Sequence, residues 1–271
     1  MVKLLRAGFS RLWRNKIFWF CVVLMVLGTA IAGCGLVSGL INVLHIDNFY
    51  FAYGIFIGQV CALFTGLFLA PEYADGVIRN KLVIGHSRTG VYLANLTVSF
   101  TATLIMLAVW LLGTLGAVYA RGGFSIGTNQ VLLLIFLSIL FTAAFTAIFT
   151  MIAMLCPSKS MTAVASVMTF LVLFVFCGMI YSGLQEPEMI DGLLMTVEGM
   201  QWSEPHPNPQ YIGGWQRSAY LFIMDFLPTG QGIQLSNMDV THPLRMAICS
   251  VFVTAITTFE GAAAFKRKDI R

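Results

Sequence analysis

The sequence predicts an all-α integral membrane protein with six transmembrane helices, and three observations carry that prediction. Hydrophobic residues fill 58% of the 271 positions and charged residues only 10%, against about 25% charged in a soluble domain. The mean hydropathy is +0.83, so there is too little charge to cover a water-facing surface. Six apolar segments reach the ~20 residues that a helix needs to cross the hydrocarbon core. They are 17–41, 51–70, 90–120, 130–156, 161–183 and 243–265. The third and fourth are longer than required and can tilt or project beyond the bilayer.

Residues 1–16 precede the first span and are amphipathic. On a helical wheel Val2, Leu5, Phe9, Leu12 and Trp13 share one face, and Lys3, Arg6, Ser10, Arg11 and Arg14 share the other. That is the pattern of a helix lying in the membrane interface. It serves either as a topology anchor or as a lever that also touches a cytoplasmic partner. The run Ile31-Ala32-Gly33-Cys34 resembles a lipoprotein cleavage site, but the apolar segment continues past it to Ile41, as a span does. The six cysteines lie in or at the ends of apolar segments and form no CxxC pair, so they read as small apolar residues.

Orientation follows from Lys and Arg, which favour the cytoplasmic side. Lys3, Arg6, Arg11, Arg14, Lys16, Arg79, Lys81, Arg88, Lys159, Lys266, Arg267, Lys268 and Arg271 fall on one side, and only Arg121, Arg217 and Arg245 on the other. Both termini are therefore expected in the cytoplasm. This distribution accounts for the net charge of +4 without any nucleic-acid partner. The long connection 184–242 is expected outside. It is acidic, contains the proline-rich EPHPNPQ at 204–210, and carries the apolar AYLFIMDFLPTGQGI at 219–233. That piece is too short to span and reads as short helices, re-entrant or interfacial, ending at the Pro228-Thr229-Gly230 turn.

Several chemistries find no support. There is no GxxxxGK[ST] phosphate loop and no HExxH. All four histidines, His45, His86, His206 and His242, lie in connections, so GLVSG at 35–39 has no base beside it at mid-membrane. No catalytic residue, metal ligand or cofactor of the chain's own is expected. Glu260 is the one acid inside a span. It reads either as a carboxylate that snorkels or pairs near Lys266 and Arg267, or as an ion-coupling group.

Gly54, Gly58, Ala62 and Gly66 recur every four residues in the second span. Small residues at that spacing let helix backbones approach closely, within one subunit or between two copies. Thr142, Thr146 and Thr150 interleave with Phe141, Phe145 and Phe149 in the fourth span. With Gln59 and Thr65 they can bond to carbonyls or neighbouring helices, or line a weakly polar pathway suited to a hydrophobic or amphipathic cargo.

Between the second and third spans the chain turns charged and glycine-punctuated. Pro71 and Glu72 close the second span, Asp75 is placed to cap a short helix, Gly85 ends it, and Ser87 is placed to cap the third span. The segment reads as a rigid cytoplasmic link. Its run Glu72, Tyr73, Asp75, Gly76, Ile78, Arg79, Asn80, Lys81, Leu82, Gly85, Ser87 and Arg88 resembles the permeases of the type-2 family of ATP-binding-cassette (ABC) transporters. So do the amphipathic N-terminus, the long loop with Leu227-Pro228-Thr229-Gly230, and the closing FKRKDIR.

The resemblance implies a multi-pass permease in a cell membrane, that of a bacterium being expected. It implies pairing with an identical or related second permease subunit. A separate cytoplasmic ATPase, in two copies, would bind ATP and Mg and drive export of a peptide, antibiotic or lipid by alternating access. Segment 72–89 would be the coupling segment, with Glu72, Asp75, Gly76, Arg79, Lys81, Gly85, Ser87 and Arg88 docking on the ATPase or holding the hinge. The alternative is a secondary transporter or channel not driven by ATP, in which Glu260 would be essential.

Overall fold

The computed structural model describes residues 1–37, 46–156, 158–190, 193–196, 199–202 and 205–268. The end of the first expected span (38–41), most of the GLVSG run's serine end (Ser38, Gly39), His45, the loop acids Asp191, Glu198 and Glu204, and the closing residues 269–271 lie outside the described residues.

The chain is an all-α multi-pass membrane protein, with six helical stretches long and apolar enough to cross a bilayer. Helix α1 (Val2–Arg14) leads into α2 (Lys16–Val37). Asn15 makes the corner, its Oδ1 accepting from the backbone N–H groups of Ile17 (2.8 Å) and Phe18 (3.1 Å) as an N-cap does. The second span is α3 (Ile46–Phe51), a 3-10 turn (Ala52–Ile55) and α4 (Ile57–Ala74). It thus starts before the expected boundary at 51 and runs past 70. A short α5 (Val77–Val83) joins it to α6 (Arg88–Ala120), followed by α7 (Thr128–Leu155) and α8 (Lys159–Leu184). Ser87 Oγ accepts from Gly90 N (3.2 Å), and Ser158 Oγ from Met161 N (3.2 Å), so both long helices begin at a side-chain cap.

Beyond α8 two short strand pairs precede the short helices expected in this connection. Strands β1 (Met189–Ile190) and β4 (His206–Pro207) pair antiparallel, as do β2 (Leu193–Thr196) and β3 (Gly199–Trp202), with Leu193 opposite Trp202 and Thr196 opposite Gly199. Pro187, Pro205 and Pro207 remove helix-forming N–H groups here. Then come α9 (Gly214–Phe226), α10 (Pro228–Ser236) and α11 (Pro243–Arg267). Pro228 starts α10 rather than ending a helix, because proline at the first helical position needs no N–H partner.

Helix α7 packs on α4, α6 and α11; α4 packs on α7 and α8; α2 covers α6. The core between α4, α7 and α8 is aromatic. Phe145 stacks with Phe149 at 6.0 Å between centroids and meets Phe170 at 6.0 Å. Large side chains such as Leu24, Val172 and Phe252 are exposed on α2, α8 and α11, which suits a lipid-facing surface. One end of the bundle gathers α1, α5, the starts of α6 and α8 and the ends of α7 and α11. The opposite end gathers α3, α9 and α10.

Candidate functional site

At the α1–α5 end, Glu72 sits in the last turn of α4 with its side chain only 2% exposed. Three elements converge on it. Lys81 of α5 donates from Nζ to Oε1 at 2.6 Å. Asn95 of α6 donates from Nδ2 to Oε2 at 2.6 Å. Arg11 of α1 pairs with Oε1 through Nη1, and its guanidinium lies 4.0 Å above the Phe68 ring. Four helices are therefore tied to one buried carboxylate. Burial draws Arg11 down from the ordinary arginine value, and Glu72 pushes back up; two cations and an amide offset the burial of the carboxylate.

The approach of α1 explains why Arg11 arrives there. The buried stripe of α1 is Leu4, Gly8 and Leu12. A Cβ on Gly8 would lie 2.7 Å from Val98 Cγ2, so glycine is what lets α1 settle on α6. Leu4, Gly8 and Arg11 follow the i, i+4, i+7 spacing of one face. The expected wheel is corrected accordingly: Val2 and Trp13 are exposed, and Arg11 belongs to the packed side. Apolar content alone assigned the faces, whereas a long arginine stem can pack while its charge finds a carboxylate.

Helix α5 is held on one side and open on the other. Ile78 is buried with Leu4, Val91, Tyr92, Met154 and Phe265, while Val83 and Ile84 are 79% and 77% exposed and Arg79 and Asn80 face outward. Gly76 (φ +67°) starts the helix in the left-handed region. Gly85 (φ +95°) ends it, with His86 N bonded to Lys81 O (3.2 Å) and Gly85 N to Leu82 O (3.0 Å), the paired bonds of a Schellman turn. Asp75 does not cap α5, as the sequence pattern led us to expect. The left-handed turn at Gly76 carries its carboxylate away to Lys159 at the start of α8, 2.9 Å from Nζ to Oδ1.

Arg88 reaches back to the end of α11, where Nη1 bonds the carbonyls of Lys266 (3.1 Å), Phe265 (3.5 Å) and Lys268. Lys268 in turn donates to Leu155 O at the end of α7 (2.8 Å) and lies 4.0 Å above the Tyr73 ring; burial lowers its pKa. Both cations sit at helix C-termini, where positive charge is favoured.

Of the residues singled out from sequence, Glu72 and Lys81 meet directly, Asp75 and Arg88 bind neighbouring helix ends, Ser87 caps α6, Gly76 and Gly85 turn the chain, and Arg79 faces outward. Sequence reading missed Arg11, Asn95 and Lys268 as partners. Asn95 carried a signal, since a lone amide in an apolar segment needs a partner.

The small-residue stripe packs inside the chain. A Cβ on Gly54 would meet Gly232 O at 2.4 Å, one on Gly58 would meet Phe170 and Phe145, and one on Gly66 would lie 3.3 Å from Ala163 Cα; Ala62 is fully buried. Thr142, Thr146 and Thr150 are fully buried on α7, and Thr146 bonds Thr142 O (2.8 Å) and Thr103 Oγ1 (2.9 Å). Thr65 is buried and bonded to Cys61 O, and Gln59 Oε1, also on α4, is buried with no hydrogen-bond partner among the described residues. Exposing these groups to a cargo requires the helices to part. Glu260 is exposed on α11 and forms no ion pair among the described residues.

Compared with protein-family models the chain matches none, and compared with curated proteins it matches none.

Proposed function

We propose that the chain is the membrane-spanning subunit of an ABC exporter, and that α5 is where force from a cytoplasmic ATPase enters it. The carrying observation is the Glu72 cluster. Helix α5 presents a bare tip of Val83, Ile84 and Arg79, yet its other side is tied through Lys81 to Glu72, and through Glu72 to Asn95 and Arg11. A push on that tip is delivered to α4, α6 and α1 together rather than absorbed by a slack loop. The tip's chemistry, two β-branched apolar residues beside a guanidinium, fits an apolar groove with an acidic rim on a soluble partner.

The rest of the reading is built on the resemblance and the charge pattern. The α1–α5 end faces the cytoplasm by the distribution of Lys and Arg. The chain carries no phosphate loop, so the partner ATPase binds ATP and Mg. ATP binding closes two ATPase copies, the paired permeases rock, and a hydrophobic or amphipathic cargo leaves outward. The partner permease is a second copy or a close relative.

A photo-crosslinking amino acid placed at Arg79 or Ile84 in the native cell tests this. Each position is expected to capture a nucleotide-binding ATPase, with capture changing when ATP is depleted. If neither position captures a nucleotide-binding protein, the proposal is wrong.

A further inference from the structure

A second polar assembly lies at the opposite end of the bundle and belongs to none of the machinery above. Asp225 of α9 is fully buried. Arg245 of α11 pairs with its Oδ2, and Gln234 of α10 donates from Nε2 to its Oδ1 at 3.0 Å. That bond fixes the Gln234 amide, because flipping it would set two acceptor oxygens face to face. Its other atom, Oε1, is then a committed acceptor. It has no hydrogen-bond partner, although Gln234 is only 3% exposed. A buried acceptor left unmet is destabilising.

Gln234 lines a pocket of about 380 Å³ between α8, α9, α10 and the turn before α11. Leu184, Leu221 and Met224 give it an apolar wall. Arg217 and Asp239 stand on its polar side. Arg217 makes one long bond to Ile212 O (3.4 Å) and no ion pair among the described residues, leaving most of its five donors free. Asp239 Oδ2 accepts from Gln185 Nε2 (2.9 Å), and the carboxylate forms no ion pair among the described residues. Among the described residues, a cation without an anion and a carboxylate without a cation thus share one cavity of ligand size, with Gln234 in its wall.

We propose that this pocket binds a small zwitterion: its primary ammonium donates to Asp239, its anionic group sits on Arg217, and its apolar part lies against Leu221 and Met224. A free amino acid and the headgroup of an aminophospholipid share this chemistry. The inference does not rest on the exporter reading, since it uses none of the α1–α5 residues.

The test uses the full chain in nanodiscs of phosphatidylcholine and phosphatidylglycerol, neither of which offers a primary ammonium. Thermal unfolding is followed while L-leucine or glycerophosphoethanolamine is added, and in parallel discs phosphatidylethanolamine replaces phosphatidylcholine. A saturable rise in Tm with leucine identifies the amino-acid source. A rise with glycerophosphoethanolamine and phosphatidylethanolamine, but not with glycerophosphocholine, identifies the headgroup. Either response is expected to need at least tenfold more ligand in Arg217→Gln and in Asp239→Asn, each read against its own ligand-free Tm. No saturable response to any of these probes, or a response in both variants at the wild-type ligand concentration, overturns the proposal.

Discussion

Replacing Glu72 by glutamine removes one charge from a site built around it. Glu72 is 2% exposed, and its cationic partners Arg11 and Lys81 are 30% and 19% exposed. Glutamine keeps the shape and can still accept one hydrogen bond from Lys81. Its amide NH2 then faces the Asn95 NH2, donor against donor, and two cations lose their counter-ion. Removing one partner of a buried pair costs about 3–5 kcal/mol. Both cations keep some access to water, so the lower figure of about 3 kcal/mol applies. That is roughly a 10²-fold change in a local opening equilibrium. The opening unit is α1 with α5, since both are moored through this carboxylate. Hydrogen–deuterium exchange of the detergent-solubilised protein should therefore rise about 10²-fold in α1 and α5. Exchange in the middle of α7 should not change. Arg11→Gln, which leaves Glu72 paired with Lys81 and Asn95, should give a smaller effect of about 1.5 kcal/mol, confined to α1. If exchange of α1 and α5 in Glu72→Gln stays within threefold of wild type, Glu72 does not hold them and the mechanical argument fails.

Three further outcomes are expected. Gly54→Ala places a Cβ 2.4 Å from Gly232 O and 2.6 Å from Ser236 Oγ; backbone must move, so overpacking should cost about 1–3 kcal/mol and lower the Tm in detergent, with α10 the first element to become protease-sensitive. Asp75→Asn breaks an ion pair whose side chains are 58% and 52% exposed; such pairs contribute at most about 1 kcal/mol, so the Tm should stay nearly unchanged and insensitive to salt. Under the exporter reading Glu260→Gln should leave transport intact, and loss of transport in this variant alone would favour ion coupling.

The spans were legible because apolar length is itself the requirement for crossing a bilayer. The start of the second span was not. Asp47 and Asn48 interrupt the apolar window, yet the Asp47 carboxylate is 2% exposed and accepts from Ser125 N (3.1 Å) in the connection between α6 and α7. A buried acid with a distant partner looks, in sequence, like a loop residue. Asp75 misled for a related reason: aspartate before a helix is a good cap by propensity, but the left-handed Gly76 turn and Lys159 of α8 compete for it, and neither the turn's direction nor the lysine's position is local information. The loop after α8 mixed prolines and apolar residues without a clear period, so its short strand pairs had no readable signal.

The segment between α4 and α6 was legible as charge and punctuation, but not as a division of labour. Three of its charges occupy two different physical situations. Glu72 and Lys81 are largely buried and held by α1 and α6, so their substitution acts on the fold. Arg79 is exposed and forms no ion pair among the described residues, so its substitution can act only on what α5 meets. Under the exporter reading these effects come apart. Arg79→Glu should abolish capture of the ATPase from Ile84 while leaving α5 exchange at wild-type rates. Glu72→Gln should keep partner capture but uncouple ATP hydrolysis from transport, because the tip still docks while its mooring gives way. If both variants instead lose docking and rigidity together, α5 is a single folding unit whose tip and anchor cannot be separated, and the lever is the wrong description of it.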